Sequence, residues 1–289
     1  MARIAFIGLG VMGGPIAGHL AAAGHDLIVY NRSIAKAEAW TKRHGGQVAA
    51  SPAEAAQDAD AVISCVGADP DLESITTGPT GAFAAMRAGA LFVDHTTVSA
   101  RIARAVADGA RERGILAVDA PVSGGQAGAE KGELAIMCGG TKEAVEAAEP
   151  LMRSYAARIV HVGPDGSGQL TKMVNQIAIA GVIQGVAEAL HFAKSAGLDT
   201  GKVLDAVSAG AAQSWQMVNR WPTMDAGRFD FGFAVDWMRK DLGLALDEAR
   251  RNGASLPVAA LVDQYYADVQ AMGGGRDDTS SLIRRLGKT

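Results

Sequence analysis

A chain of 289 residues with 48% hydrophobic residues, 20% charged residues and a net charge of -4 reads as a soluble globular protein long enough for two domains. The mild acidity, without basic runs interleaved with aromatics, excludes a nucleic-acid surface. Two cysteines, Cys65 and Cys138, lie in apolar strand-like runs and predict buried thiols with no disulfide framework, and six scattered histidines lack the spacing of metal ligands.

Residues 3–30 read RIAFIGLGVMGGPIAGHLAAAGHDLIVY. An apolar strand, Gly8-x-Gly10-x-x-Gly13, a small-residue helix and a second apolar strand form a dinucleotide-binding βαβ unit. Gly8 permits the tight turn, Gly10 leaves room for a pyrophosphate, and Gly13 lets helix and strand pack closely. Leu9, Val11 and Met12 complete a loop that places phosphates at the positive end of the helix. This first strand begins directly after Met1-Ala2, which predicts no leader and a cytoplasmic protein.

An NAD site carries Asp or Glu at the end of the second strand. Here the chain reads Asn31-Arg32-Ser33, with Lys36 one turn on. Asn31 cannot repel a 2′-phosphate, Arg32 can hold it in a charged fork, and Ser33 can add a hydroxyl and cap the next helix. The alternative is that Arg32 and Lys36 are a solvated helix start. The first reading favours NADP(H) over NAD(H).

Apolar runs then alternate with helical stretches, at 61–66, 91–94, 115–119, 134–138 and 159–162. Such alternation predicts an α/β, Rossmann-type, doubly wound and mainly parallel sheet over residues 1–163. Beyond the glycine-rich segment 163–168 strand signals stop, so 164–289 is expected to be all-α, entered by a long helix over about 167–196. Further helices are expected near 201–209, 235–252 and 257–272, then a flexible Gly273–Gly275 turn and a short amphipathic piece at 279–286. The uncharged stretch 173–187 is too short to span a membrane and carries Asn175, Gln176 and Gln184. A helix this apolar needs partners on several sides, which suggests a bundle core shared with another subunit, hence a homodimer or homotetramer.

Ligands of open α/β sheets bind beyond the carboxyl ends of the strands. The loops there carry Val66-Gly67-Ala68-Asp69, His95-Thr96-Thr97 and Ala120-Pro121-Val122-Ser123-Gly124-Gly125. Ser123, Gly124 and Gly125 offer a hydroxyl and unobstructed N–H groups suited to a carboxylate, or simply form a turn. Lys172, Asn175 and Gln176 lie at i, i+3 and i+4 on one helix face. A lysine in so apolar a helix either snorkels out or faces a cleft, where desolvation would bring its pKa towards acid/base work.

Together these segments resemble the β-hydroxyacid dehydrogenase family, which includes 3-hydroxyisobutyrate dehydrogenases, tartronate semialdehyde reductases and reductases of succinic semialdehyde and glyoxylate. The resemblance runs the length of the chain, through FIGLGVMGGPIAGHL, DAPVSGGQAGAEKGELAIMCGG, GSGQLTKMVNQ, KDLGLALDEA and Asp277-Asp278-Thr279-Ser280. It implies that Lys172 is the general acid/base, that Ser123 and Gly124 bind the carboxylate, that Asn175 orients the substrate, and that Thr96 and Lys240 lie by the nicotinamide. The chain departs from the family's common pattern in having Asn175-Gln176 in place of two asparagines and Val66-Gly67 in place of Leu-Pro. The expected substrate is a small carboxylate-bearing aldehyde or hydroxyacid, with no metal, nucleic acid or membrane involved. Its side chain would meet residues of the helical domain, with Trp215, Met217, Trp221, Phe231, Phe233, Asp236 and Met238 as candidates. An imine reductase, which commonly lacks the lysine, and a non-catalytic dinucleotide-binding module are the competing readings.

Overall fold

The buried run Ile4 to Ile7 forms β1 (Arg3–Ile7), an interior strand of a nine-stranded sheet. The computed structural model describes residues 1–287. Two compact units divide it, the first covering Met1–Lys172 and the second beginning at Met173.

In the first unit, α1 (Gly13–Ala22) leads to β2 (Asp26–Tyr30), α2 (Ile34–His44), β3 (Gln47–Val48), α3 (Pro52–Ala56) and β4 (Ala61–Ser64). Then follow α4 (Asp69–Thr76), β5 (Leu91–Asp94), α5 (Ala100–Arg111), β6 (Leu116–Asp119), β7 (Val122–Ser123), α6 (Gly125–Lys131), β8 (Leu134–Gly140), α7 (Lys142–Met152) and β9 (Ala156–Gly163). The sheet order is β3-β2-β1-β4-β5-β6-β8-β7, with β9 beside β8. Strands β3 to β6 of this path are parallel, whereas β8 runs antiparallel to β6 and β7. Each face is sealed by its own apolar layer. One gathers Phe6, Leu20, Trp40, Ile136 and Tyr155, and the other Ile7, Leu72, Phe83, Phe92 and Val106. This double covering explains why the strands read as continuous apolar runs instead of alternating ones. Cys138 sits in the first layer, where burial pushes its thiol up to about 12.

The sequence-based expectations differ from the structure where elements are short. Strand β4 stops at Ser64, so Cys65 and Val66 belong to the loop, and Ser123 lies in a two-residue strand paired with Ala135. The long helix α8 (Ser167–Ser195) has 29 residues and a most apolar window of mean hydropathy 1.3, so by length and composition it could cross a bilayer. Ala180, Ile183, Val186, Ala187 and Leu190 nevertheless place it in the core of the second unit. There α9 (Thr200–Val207), α10 (Trp215–Asp225), α11 (Val235–Asn252) and α12 (Pro257–Ala271) surround it. Thr279–Arg285 form a 3-10 helix whose first four residues are buried, and the buried Asp278 carboxylate accepts from Phe233 N, Ser280 N and Ser280 Oγ; residues 288–289 lie outside the described residues.

Candidate active site

The strand order reverses direction between β1 and β4, and open α/β sheets take their ligands at such a switch point, beyond the carboxyl ends of the strands. The glycine loop occupies this point. Gly8 has φ +99°, and a Cβ there would overlap the Cys65 carbonyl oxygen at the end of β4. Gly13 is pressed so closely on the loop that a Cβ would overlap the Gly8 carbonyl. Gly10 differs: a Cβ there would meet no protein atom within 4 Å. Beyond it α1 opens with neither a side-chain cap nor an acidic residue in its first turn. An uncapped positive helix end facing open space beside Gly10, Val11 and Met12 fits a pyrophosphate.

At the end of β2, Asn31 is a brace for that loop. Its Oδ1 accepts from Leu9 N at 3.0 Å and its Nδ2 donates to Ser33 O at 3.0 Å. Arg32 is 91% exposed at the side chain and pairs with Asp71 at 3.3 Å. Ser33 occupies the N-cap position of α2 without making a side-chain cap bond, which corrects that part of the expectation, and Lys36 is exposed on the first turn.

The loop after β5 is built on a buried carboxylate. Asp94 Oδ1 accepts from Ser64 Oγ, Thr96 N and Thr96 Oγ1 at 2.7, 3.1 and 2.6 Å. Thr96 Oγ1 in turn accepts from Val66 N at 3.0 Å, which ties the Val66-Gly67 loop to the nicotinamide-side candidate Thr96. Burial raises the Asp94 carboxyl to about 7 against these hydrogen bonds, which favour its charged form. His95 Nδ1 lies 2.6 Å from the Ala120 carbonyl, which can only accept, so Nδ1 carries the proton and Nε2 accepts from Tyr155 OH at 2.9 Å. Burial lowers this histidine to about 4. His95 is therefore a neutral tie between the ends of β5 and β6.

Lys172 is 9% exposed, and its Nζ donates to Val122 O at 2.8 Å. That carbonyl immediately precedes Ser123. Gly124 and Gly125 follow with φ +129° and +61°, conformations that favour glycine, and their main chain is exposed at the start of α6. The first unit thus brings Lys172 to the proposed carboxylate loop. What holds α8 there was not legible from spacing. Asp119, at the end of β6, accepts from Gly166 N at 2.7 Å and Gln169 N at 2.9 Å, capping the helix from across the fold. Its carboxyl is raised to about 6, chiefly by burial.

In the second unit Asn175 Nδ2 donates to Gln176 Oε1 at 2.7 Å, and Gln176 Nε2 donates to Asp241 Oδ2 at 2.7 Å. Lys240 Nζ lies 3.2 Å from the other oxygen of Asp241. Gln176 is 2% exposed, and its amide links α8 to α11. Asp241 was missed by motif reading, because its partner is 65 residues away in sequence. The candidates for meeting the substrate side chain separate: Met217, Trp221 and Met238 are core, whereas Trp215 and Phe231 flank the Arg220 guanidinium at 4.9 and 5.0 Å. Phe233 packs against the core, and exposed Asp236 accepts from Gln270. Among the described residues no cluster of His, Cys, Asp and Glu could hold a metal ion.

Residues 3–163 match the NAD binding domain of 6-phosphogluconate dehydrogenase, and residues 166–286 match the family described as NAD-binding of NADP-dependent 3-hydroxyisobutyrate dehydrogenase. An uncharacterized oxidoreductase of Shewanella frigidimarina is 59% identical over 289 residues, covering 100% of this chain and 99% of its own length. The NAD-dependent L-serine dehydrogenase of Pseudomonas aeruginosa is 36% identical, with 99% of this chain and 98% of that one covered. The solved structure of Mycobacterium tuberculosis 3-hydroxyisobutyrate dehydrogenase with L-serine superposes with a TM-score of 0.90 at 33% identity, covering 99% of each chain. With family matches across both units and this close a fold, the chain belongs to the β-hydroxyacid dehydrogenases, NAD(P)-binding oxidoreductases of the 3-hydroxyisobutyrate dehydrogenase type.

Proposed function

We propose that this chain interconverts a small β-hydroxyacid and its semialdehyde, with Lys172 as general acid/base and NADP(H) preferred over NAD(H). The observation that carries the reading is the buried Lys172 donating to Val122 O, one residue before Ser123. The bound nicotinamide would supply or accept the hydride at the carbon that bears the oxygen. In reduction Lys172 gives a proton to the oxygen as alkoxide character develops, and in oxidation it takes the hydroxyl proton. The Val122 carbonyl fixes Nζ in place for either direction. Ser123 Oγ and the main chain of Gly124 and Gly125 hold the carboxylate and so choose the face presented. Asn175, Lys240 and Thr96 keep the roles that the resemblance gives them, with Gln176 supporting Asn175.

The names of two relatives support the substrate class, since L-serine is itself a small β-hydroxy carboxylate. On cofactor choice the names divide, one family being described as NADP-dependent and the serine dehydrogenase as NAD-dependent. Arg32 without an acidic neighbour at Asn31 favours NADP(H). An exposed apolar stripe on α8, formed by Val174, Val182 and Phe192, supports association through the helical unit.

The test is a turnover screen of glyoxylate, succinic semialdehyde, tartronate semialdehyde, 3-hydroxyisobutyrate and L-serine with both cofactors, on the wild type and Lys172→Ala. Turnover of at least one compound is expected, with kcat reduced on the order of 10²–10⁴ in the variant and NADPH affinity nearly unchanged. A variant that keeps more than about half of the wild-type kcat would remove Lys172 from the chemistry, given that loss of a positioned acid/base is otherwise so costly.

A further inference from the structure

We infer that Gln169, on the first turn of α8, is a positioning residue that sets the spacing between Lys172 and Thr96. The inference rests on the proposed reading of Lys172 as the acid/base. Gln169 is fully buried at 0% exposure and its polar groups bind three separate places. Its main-chain N–H donates to Asp119 Oδ2 at the end of β6. Its side-chain Oε1 accepts from Val98 N at 3.0 Å, and its Nε2 donates to Thr96 O at 2.8 Å. The loop after β5 therefore receives from one amide side chain the donor and acceptor pairing that a neighbouring strand would provide. An amide supplies both at once whatever the pH: an ionised carboxylate cannot donate to Thr96 O, and a thioether or alkyl chain satisfies neither group.

Both ends of this strut are fixed. Thr96 is held at its side chain by Asp94 and Val66 N. The start of α8 is pressed on the sheet, since a Cβ on Gly168 would overlap the carbonyl oxygens of Met137 and Asp119. Lys172 lies three positions beyond Gln169, hence one helical turn along a neighbouring row of the same helix, and ends at Val122 O. A shift of the loop after β5 relative to α8 changes the separation of Thr96 and Lys172, and Gln169 spans that interval. A displacement of about 1 Å in a catalytic constellation can cost on the order of 10²-fold in rate.

Three variants test this beside Lys172→Ala: Gln169→Met, which removes both side-chain bonds; Gln169→Glu, which keeps volume and the acceptor; and Gln169→Asn, which keeps both groups but shortens the reach by one methylene. Each is read by kcat, by NADPH dissociation constant from fluorescence, and by melting temperature. The expected result is a kcat lower by roughly 10- to 100-fold in Gln169→Met and Gln169→Glu, at temperatures where they are folded, with NADPH affinity within about threefold. Gln169→Asn should fold and show the same split to a smaller degree. A purely structural glutamine would lower the melting temperature and leave kcat alone. Folded variants with wild-type kcat, or a loss of kcat matched by an equal loss of NADPH affinity, would overturn the inference. If Lys172→Ala itself stays active, the acid/base reading fails, and that result is separate from any result at Gln169.

Discussion

Under the proposed preference for NADP(H), Arg32 is the residue on which cofactor choice would turn, and it already has a partner. Its guanidinium pairs with Asp71, from the first turn of α4, whose other oxygen accepts from Ala68 N. With Arg32 at 91% exposure, such a pair is worth about 0–1 kcal/mol, too little to withhold the side chain from a phosphate that accepts two charge-assisted bonds. The carboxylate still competes, and it would add repulsion to a nearby 2′-phosphate. Asp71→Asn is therefore expected to tighten NADPH binding by roughly two- to fivefold and leave NADH unchanged, since about 1.4 kcal/mol corresponds to tenfold. Arg32→Ala should weaken NADPH by about tenfold on the same scale and abolish the effect of Asp71→Asn. Fluorescence titrations of both cofactors against the single and double variants check this. Equal NADPH affinity in wild type and Arg32→Ala would assign the arginine to solvent. This competition could not be read from the sequence, because Asp71 is 39 residues from Arg32 and belongs to a different element, α4. The same limit hid the Asn31 brace on Leu9 and the burial of Gln176 against Asp241.

At the scale of elements, the glycine loop and α1 make two opposite demands on a residue without a side chain. Gly13 is glycine because protein fills the space where a Cβ would go, and Gly10 sits where that space is open. Gly13→Ala is accordingly expected to destabilise the apo protein, by about 1–3 kcal/mol for overpacking of this kind. Gly10→Ala should leave apo stability within about 0.5 kcal/mol, as for a surface substitution, while weakening NADPH severalfold or more. Urea unfolding without cofactor, paired with NADPH titration, separates the two. A Gly10→Ala protein that binds NADPH normally would place the pyrophosphate elsewhere. These roles were legible because they depend on spacing within one short βαβ unit. The long apolar strands and α8 were legible for a related reason, since burial on both faces imprints continuous apolar runs. β3 and β7, of two residues each, are too short to carry a period, and α10 was hidden by Pro222 within it. The antiparallel pairing of β7 with β8, which turns the Ser123 loop, depends on contacts that no local pattern announces.

For the molecule as a whole, the buried ionisable groups near the strand ends tie stability to pH. Asp94 is raised by burial from 3.8 to about 7, and Asp119 from 3.8 to about 6, so the folded protein holds protons that the unfolded chain releases. A raised carboxyl contributes stability that is complete below its unfolded value and is lost as pH rises through the folded one. His95 acts in the opposite sense: lowered from 6.5 to about 4, it contributes stability above 6.5 that is lost as pH falls through 4. Above pH 6.5 the histidine is neutral in both states, and the Asp94 contribution is the one still changing there. Asparagine at position 94 keeps an oxygen to accept from Ser64 and Thr96 but has no charge to desolvate, so it mimics the protonated acid. Relative to wild type, Asp94→Asn should therefore gain stability between pH 5 and pH 8. The ionisation cost accumulates over the interval from 5 to about 7. At about 1.4 kcal/mol per pH unit, this amounts to roughly 2–3 kcal/mol. Paired urea denaturations at pH 5 and pH 8 measure the difference directly, with His95 and Asp119 common to both proteins. A stability difference between variant and wild type that stays the same at the two pH values would show that Asp94 ionises in the folded protein as readily as in the unfolded chain, and that its hydrogen bonds from Ser64 and Thr96 fully offset its burial.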